Sequence, residues 1–576
     1  MAATHNAGDP IVLGAYAARQ CPLRVFRAYD PHETASPADP DAALQALFDE
    51  GHRFEDEVVA ALEAAHPGQV TVIPDRDHGT ASDRQAATES AVENGDRYIA
   101  GALLPIDRVG RRASEVDLLV RVGTTPMAGR WRYRPVDIKA HRATKNAALG
   151  SELVEGLDRV PVDRLLVPAY HEGDCLQLAH YYRHLETLGW HEPGDEEHGV
   201  WAGVIGSEQL LVWHDLTALA FPTTTPQEVV DENGERTMRF HRRMRSTRRS
   251  AFDRYDFEFR FRLDLVATAQ ARPSSTAPRP VEPVNTKECD RCPWHDECHS
   301  VLLERDDVSL VKGVGYPEWR LLNFMGVTTT QAAASLDSTA AALAFGDEPL
   351  KPAALIEIIG NASSYVAGRP LLRPDGEQHV VPRADVEIDL DLESTRERRT
   401  YLWGALVSRA PVNWSVTEGS YHPFVTWQPL DESTEADVFR QLWLWLREQL
   451  AEAARRGISL NVYGYNTAST EAAAMRSIVA RGGSNLPTVD QLTDFVDYHL
   501  VDELPVMKRR WFSNAGHGLK VLAPHYGFDW HDDEAGGLNS IDWYEQVLAG
   551  TDPEAAKDRI LRYNEDDCQA TRSLRQ

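Results

Sequence analysis

Ser114-Glu-Val-Asp-Leu-Leu-Val-Arg-Val122 and Tyr133-Arg-Pro-Val-Asp-Ile-Lys-Ala140 are two apolar runs of strand length, separated by a polar stretch rich in Gly, Thr and Pro. That pattern predicts a β-hairpin. Residues two apart on a strand face the same side, so Asp137 and Lys139 project together, and Asp117 sits on the neighbouring strand. Two carboxylates and an ammonium at one sheet edge suit Mg²⁺ or Mn²⁺ and a phosphodiester: the carboxylates offer hard oxygen ligands, and the lysine neutralises developing charge or orients water. The other reading of the same residues is an amphipathic hairpin with solvated charges.

The chain has 576 residues, enough for roughly two to four domains. It lacks a run of eighteen apolar residues, and its first ten residues carry neither a basic nor an apolar signal region. The expectation is a cytoplasmic protein that does not engage a membrane. A formal charge of −28, from 60 Lys and Arg against 88 Asp and Glu, excludes coating of nucleic acid by bulk charge. A local basic groove above an acidic, metal-binding floor stays compatible with it. Six cysteines in this length are not a disulfide scaffold.

Working outward from the hairpin, residues 42–65 read as a helix on the spacing of Leu44, Leu47, Phe54, Val58 and Leu62, with Glu55 at the edge of the apolar stripe. Residues 174–187 read as a second helix, on which Gln177 and Tyr181 share a face. The order Gly51-x₃-Glu55, then Asp117, then Asp137-x-Lys139, then Gln177-x₃-Tyr181 resembles the RecB-type branch of the PD-(D/E)XK nucleases. The resemblance implies a restriction-endonuclease-like fold, with Glu55, Asp117 and Asp137 as metal ligands, Lys139 as the catalytic lysine, and Gln177 and Tyr181 as the helix residues typical of the branch. Asp137 stands where Glu is commoner.

Between residues 238 and 262, arginines reverse the local charge: Arg239, Arg242, Arg243, Arg245, Arg248, Arg249, Arg254, Arg260 and Arg262, interleaved with aromatics. Arginine pairs bidentately with phosphate and aromatics stack on unpaired bases, which points to nucleic acid, with Arg242, Arg243, Arg245, Arg248 and Arg249 as the contacts. The structural alternative is a solvated helix face leading into a strand over Phe257–Leu263.

Cys289-x₂-Cys292-x₅-Cys298 follows a Pro-rich loop, and a tetrahedral site needs a fourth ligand. Cys21, also followed by proline, is the best candidate; His295 and His299 are alternatives and would favour zinc. One distant N-terminal cysteine plus C-x₂-C-x₅-C resembles the iron–sulfur-stapled RecB-type nucleases. That implies a [4Fe–4S] cluster on Cys21, Cys289, Cys292 and Cys298, tying the ends of the nuclease domain together. Cys175 and Cys568 read as structural thiols.

Val308 to Leu322 holds a hydrophobic-Gly-hydrophobic-Gly turn that resembles a helix–hairpin–helix, with Lys312, Gly313 and Gly315 offered to a DNA phosphate. An ordinary helical linker reads equally well. Residues 346–380 read as a connector.

Val386-Glu-Ile-Asp-Leu-Asp-Leu-Glu393 alternates strictly, giving a strand with four carboxylates on one face. Like charges that close repel unless cations lie among them. Later strands at Thr400–Val407, Phe424–Trp427 and Leu460–Asn466, and the terminal Tyr563-x₃-Asp567, resemble the tyrosine variant of the DEDD exonucleases in the RNase H-like fold. The resemblance implies Tyr563 for water orientation and Asp567 as a metal ligand. Its first motif is Asp389 with Asp391, preferred over Asp391 with Glu393. Its second is Glu471, where Asp is usual, with Asp502 as an alternative.

The whole order is similar to a bacterial family of RecB-like nucleases joining an iron–sulfur module, a helix–hairpin–helix linker and an RNase H-like domain. It implies an α/β multidomain chain divided at 1–305, 306–380 and 381–576. It also implies a Mg²⁺- or Mn²⁺-dependent DNA nuclease acting on single strands or ends. The chain lacks a P-loop, so any helicase partner would act in trans.

Overall fold

The structure, a computed structural model, describes residues 11–33, 42–75, 78–144, 171–194, 199–222, 224–230, 236–242, 248–337, 352–532 and 536–575. The fold is mixed α/β. The chain forms two compact units, one built mainly from residues up to Arg305 and the other mainly from Pro352 onward. No helix among the described residues is long and apolar enough to cross a membrane.

The N-terminal unit holds a six-stranded sheet of β1 (Val70–Val72), β2 (Tyr98–Leu103), β3 (Glu115–Met127), β4 (Arg130–Ile138), β5 (Trp201–Ile205) and β6 (Leu211–Asp215), in that order across the sheet. The predicted hairpin is β3–β4, antiparallel in the register Leu118 opposite Val136. Between the parallel strands β4 and β5 the chain passes through α1 (Glu172–Leu188). Both faces of the sheet are covered. Ile99, Leu119 and Val204 pack with Leu178 and Tyr182 of α1 and with Tyr255 and Phe259 of α2 (Ala251–Gln270). Tyr98, Leu118, Val136 and Ile138 pack on the opposite face with Val58 and Leu62 of the helix Ala42–Ala65.

The strand expected over Phe257–Leu263 is instead the middle of α2. Ser250 and Asp253 form a capping box at its start, a device that contributes on the order of 1 kcal/mol. The buried aromatics Phe252, Tyr255 and Phe259 follow the helical period, and Phe257, which a strand would turn inward, is 67 % exposed.

The C-terminal unit is built on a five-stranded sheet of β7 (Val386–Ser394), β8 (Thr400–Arg409), β9 (Tyr421–Val425), β10 (Leu460–Gly464) and β11 (Leu500–Asp502). The order is β9-β8-β7-β10-β11, with β8 antiparallel to β7 and β10 parallel to it. The alternation on β7 divides its residues cleanly. Ile388 and Leu390 pack with Phe439, Leu442 and Trp443 of α3 (Glu432–Arg456). The acidic residues face the long last helix, α5 (Pro553–Ser573). Between them in sequence, α4 (Glu471–Arg481) starts just after β10. Part of the expected connector is ordered structure of this unit: Pro352–Ala367 is helical, and Leu371–Leu372 pairs with Trp511–Phe512.

Candidate functional sites

Two carboxylate sites emerge, one in each unit. In the N-terminal unit, Asp137 is fully buried, and its Oδ2 lies 2.5 Å from Lys139 Nζ. Its Oδ1 accepts from Gln177 Nε2 at 2.9 Å, and the same amide lies 2.7 Å from the Tyr181 hydroxyl. The i, i+4 pair on α1 therefore acts as one polar unit against β4. Asp117 Oδ2 accepts the Ile138 N–H at 2.7 Å, which fixes it across the hairpin. Burial, then Asp137, pushes the Asp117 carboxyl well above the carboxylate range, and Lys139 and the Ile138 amide only partly offset this. Burial opposes the Lys139 charge, but Asp137, Tyr16 and Asp117 together outweigh it and raise the ammonium, which stays protonated at neutral pH. Glu55 approaches from the helix Ala42–Ala65. Burial raises its carboxyl, and it exchanges charge interactions with Lys139, Asp137 and Asp117. All six residues of the hairpin constellation are thus brought together.

Sequence reasoning missed Arg19. Its Nη1 donates to Gln177 Oε1 at 3.2 Å, which sets the amide so that its NH₂ points at Asp137. The only signal was its position two residues before Cys21.

Cys21, Cys289, Cys292 and Cys298 line one cavity together with Arg27 and Trp294. Burial pushes the Cys21 thiol up to about 11. Thr286 N–H donates to Cys289 Sγ at 3.3 Å, and Arg27 Nη1 to Cys298 Sγ at 3.7 Å. Cys175 and Cys568 are buried elsewhere; the Cys568 thiol donates to the Gly404 carbonyl at 3.6 Å.

The basic residues are less informative. Arg243 and Arg245, and the side chain of Arg242, lie outside the described residues; Arg248 and Arg249 are exposed. In the Gly-rich turn, Gly313 takes the left-handed conformation (φ +97°). The amides offered to phosphate are already engaged: Lys312 N–H donates to Asn514 Oδ1 at 2.6 Å, and Gly315 N–H to Glu318 Oε2 at 3.1 Å.

In the C-terminal unit, Asp391, Glu393 and Asp567 each offer an oxygen within 4.8 Å of the others. Asn564, fully buried on α5, donates from Nδ2 to Asp391 Oδ2 at 2.8 Å. Ser540 Oγ donates to Glu393 Oε2 at 2.6 Å, and Trp530 Nε1 to Asp567 Oδ1 at 2.7 Å. Asn564 can lie so close because position 404 is glycine; a Cβ there would overlap Asn564 Oδ1. Burial, then Asp567, pushes Glu393 up to about 8, and burial, with a smaller contribution from Asp566, pushes Asp567 up to about 6. Tyr563 sits one turn from Asp567 and hydrogen-bonds it. Burial, then the charges of Asp567, Glu393 and Asp391, holds its phenol far above the ordinary value. Lys520 Nζ lies 4.9 Å over the Tyr563 ring, and its charge favours the ionised forms of Asp567 and Glu393.

Of the preferred first pair, Asp391 joins the cluster, and Glu393 rather than Asp389 stands beside it there. Asp389 is held by Arg575, whose Nη1 and Nη2 lie 2.6 and 2.7 Å from its two oxygens. Arg575 also pairs with Glu503 and approaches Glu387 Oε2 at 3.7 Å. Glu387 is also paired by Arg383, at 2.7 and 3.0 Å, so arginines answer two of the four carboxylates of β7, while Asp391 and Glu393 join the cluster with Asp567. Glu471 stands outside the three-oxygen cluster but close enough to raise Asp391; burial pushes its own carboxyl up to about 7. Asp502 accepts the backbone amides of Asn466 and Leu504. Asn564, Ser540, Trp530 and Lys520 carried no signal in the sequence pattern.

The sheet order and the carboxylates between β7 and α5 define the C-terminal domain as RNase H-like, with a cluster of the kind that holds divalent metal. A family model of the RNase H superfamily matches residues 414–576, taking in Glu471, Tyr563 and Asp567, while Asp391 and Glu393 precede it. RNase H-like nucleases use divalent metals, so nuclease-type phosphodiester hydrolysis is the class of chemistry this domain fits. No curated protein and no solved structure matches the chain.

Proposed function

We infer that the protein is a Mg²⁺- or Mn²⁺-dependent DNA nuclease that hydrolyses phosphodiester bonds exonucleolytically, on single strands or ends, in DNA repair or processing. The observation that carries the reading is the Asp391–Glu393–Asp567 cluster with Tyr563 beside it. Those three carboxylates would hold the metal, which when bound supplies Lewis-acid activation of water and neutralises charge on the phosphoryl group. Asn564 and Ser540 orient the carboxylates: Asn564 Nδ2 donates to Asp391 Oδ2 and reaches Glu393 Oε1 at 3.5 Å, and Ser540 Oγ donates to Glu393 Oε2. Tyr563, kept neutral, offers a hydroxyl for a water or phosphate oxygen. Lys520 adds positive charge at the mouth of the site.

The N-terminal unit is read as a second, RecB-type nuclease module over residues 1–305. Glu55, Asp117 and Asp137 would hold metal, and Lys139 is poised to stabilise charge. Residues 306–380 would link this module to an exonuclease domain over 381–576. The four cysteines are read as ligands of a [4Fe–4S] cluster. What supports that reading is that all four cysteines line one cavity. Anaerobically purified protein should be brown and contain iron; colourless protein with stoichiometric zinc would replace the cluster with a zinc site.

The function is tested by an assay with Mn²⁺ on end-labelled single-stranded DNA, comparing wild type, Asp137→Ala, Asp567→Ala and the double variant. Loss with Asp567→Ala alone assigns the chemistry to the RNase H-like domain. Loss with Asp137→Ala alone assigns it to the hairpin site, and loss only in the double variant assigns it to both. Inert wild type that still binds DNA would make the chain a recognition scaffold, with any helicase acting in trans.

A further inference from the structure

Beside the hairpin site, three metal-ligating side chains that the nuclease reading does not use converge. His141 follows Lys139 by two residues, just beyond β4. His171 is the N-cap residue of α1, and Asp174 lies in its first turn. One ligand atom from each lies within 4.8 Å of the other two. His141 Nε2 is 2.8 Å from Asp174 Oδ2, and the two imidazoles meet edge to face with centroids 4.8 Å apart. Asp174 is 5 % exposed, while both rings open to solvent.

The donor set and its surroundings have the form of a metal site. His171 Nε2 lies 3.3 Å from the Arg142 carbonyl. That contact would leave Nδ1 as the ligating nitrogen, the arrangement in which a metal-bound imidazole ties its other N–H to a carbonyl. A buried carboxylate needs a counter-charge. Lys139 acts on Asp174 through space but is committed to Asp137, and Arg19 reaches Asp174 Oδ1 only at 3.9 Å and is shared with Gln177. An imidazole supplies a full charge only when protonated. A divalent ion bound by the two rings and the carboxylate would supply it at any pH at which the rings are neutral.

We propose that His141, His171 and Asp174 bind one zinc-class divalent transition-metal ion, with water completing the coordination. Two imidazoles and one carboxylate suit Zn²⁺ and its neighbours over Mg²⁺ and Ca²⁺, which prefer all-oxygen sites. The ion braces the chain just after Lys139 against the turn of α1 that leads to Gln177. The site stands independently of whether the hairpin cuts nucleic acid.

The test is equilibrium dialysis of the full-length protein against Zn²⁺ in excess Mg²⁺, which keeps the oxygen-only sites filled, with metal counted by mass spectrometry. His141→Ala, His171→Ala and Asp174→Asn should each hold one zinc fewer than wild type, whatever metal the cysteines carry. Zinc should also raise the melting temperature of wild type more than that of the variants. Should Asp174→Asn fail to fold, the two histidine variants decide, because both rings are exposed. Equal zinc content and equal zinc-induced stabilisation in wild type, His141→Ala and His171→Ala would overturn the proposal.

Discussion

At the hairpin site the neutralising cation comes from two residues along the chain from the carboxylate it serves: Lys139 Nζ stands 2.5 Å from Asp137 Oδ2. On β7 the cations serve only half the strand: Arg383, four residues before Glu387, pairs with both of its oxygens, and the other comes from far along the chain. Arg575 holds Asp389, 186 residues away, and approaches Glu387. Asp391 and Glu393 receive neutral donors instead, from Asn564 and Ser540. Charge repulsion has the same origin in both places, and its resolution separates a structural carboxylate from a metal-ready one. A guanidinium that satisfies both oxygens leaves nothing for an ion to bind, whereas an amide that takes one oxygen leaves the other free and aimed.

The largest expected effect lies along β7. Asp391→Asn and Asp567→Asn should lower cleavage by the C-terminal site by about 10³-fold or more, because each removes an oxygen meant for the metal that stabilises the transition state. Both should fold, since the buried carboxyls they replace repel one another. Cleavage rates and melting curves check this together. Full activity in Asp391→Asn, with loss confined to a well-folded Asp389→Asn, would reverse the comparison.

Arg575→Met should act on stability. The substitution leaves Asp389 and Glu503 buried without their partner, a loss of about 3–5 kcal/mol for a broken buried ion pair. Urea unfolding of the C-terminal transition measures it. A change below about 1 kcal/mol, within the range of surface pairs, would mean that β7 does not depend on that arginine.

The two units also differ in how acid should affect them. In the N-terminal unit, His180 and His184 are neutral and fully engaged. Each lies with Nε2 on a backbone carbonyl, at 3.2 Å from Ala113 and 2.8 Å from Pro105. Each has Nδ1 on a hydroxyl, at 2.9 Å from Tyr255 and 2.8 Å from Ser114. Burial holds them down to about 3 and about 4, from an ordinary value of 6.5. Between pH 6.5 and those values the unfolded chain binds more protons, so stability is complete above 6.5 and falls as pH falls. The slope approaches about 2.7 kcal/mol per pH unit for the pair near pH 5. Denaturant midpoints at pH 7 and pH 5 check it, and His184→Gln should flatten the dependence.

Much of this architecture is legible from pattern alone. The β3–β4 hairpin follows from two apolar runs around a turn, and the acidic face of β7 from strict alternation. The i, i+4 pairs Gln177/Tyr181 and Tyr563/Asp567 place each partner on one helix face. Alternation fails to rank equivalents: it yields four carboxylates on β7, and only the partners Arg383 and Arg575 show which are already paired. It also misleads at Phe257–Phe261, where alternate phenylalanines fit a strand but the Ser250–Asp253 cap starts a helix. Arg19, Asn564 and Lys520 are set by contacts between distant segments, and no local period reports those. The four cysteines are the opposite case. Rarity and spacing single out three of them, and the fold brings Cys21 to the same cavity.

The smallest effect concerns the two amides that orient the sites. Gln177 and Asn564 play parallel parts, each donating to a carboxylate from a buried helix position. Removing an orienting partner of a metal ligand costs about 10–100-fold in metal affinity. Asn564→Ala should fall in that range, because Asp391 then loses its donor while Glu393 and Asp567 remain to repel it. Gln177→Ala should cost less, because Lys139 still holds Asp137 and the Ile138 amide still holds Asp117. Gly404→Ala should reproduce the Asn564 result without touching a polar group, since its Cβ displaces the Asn564 side chain. Mn²⁺ titrations followed by paramagnetic resonance rank the three variants. A Gln177→Ala loss larger than that of Asn564→Ala would mean that Lys139 does not hold the hairpin carboxylates in place unaided.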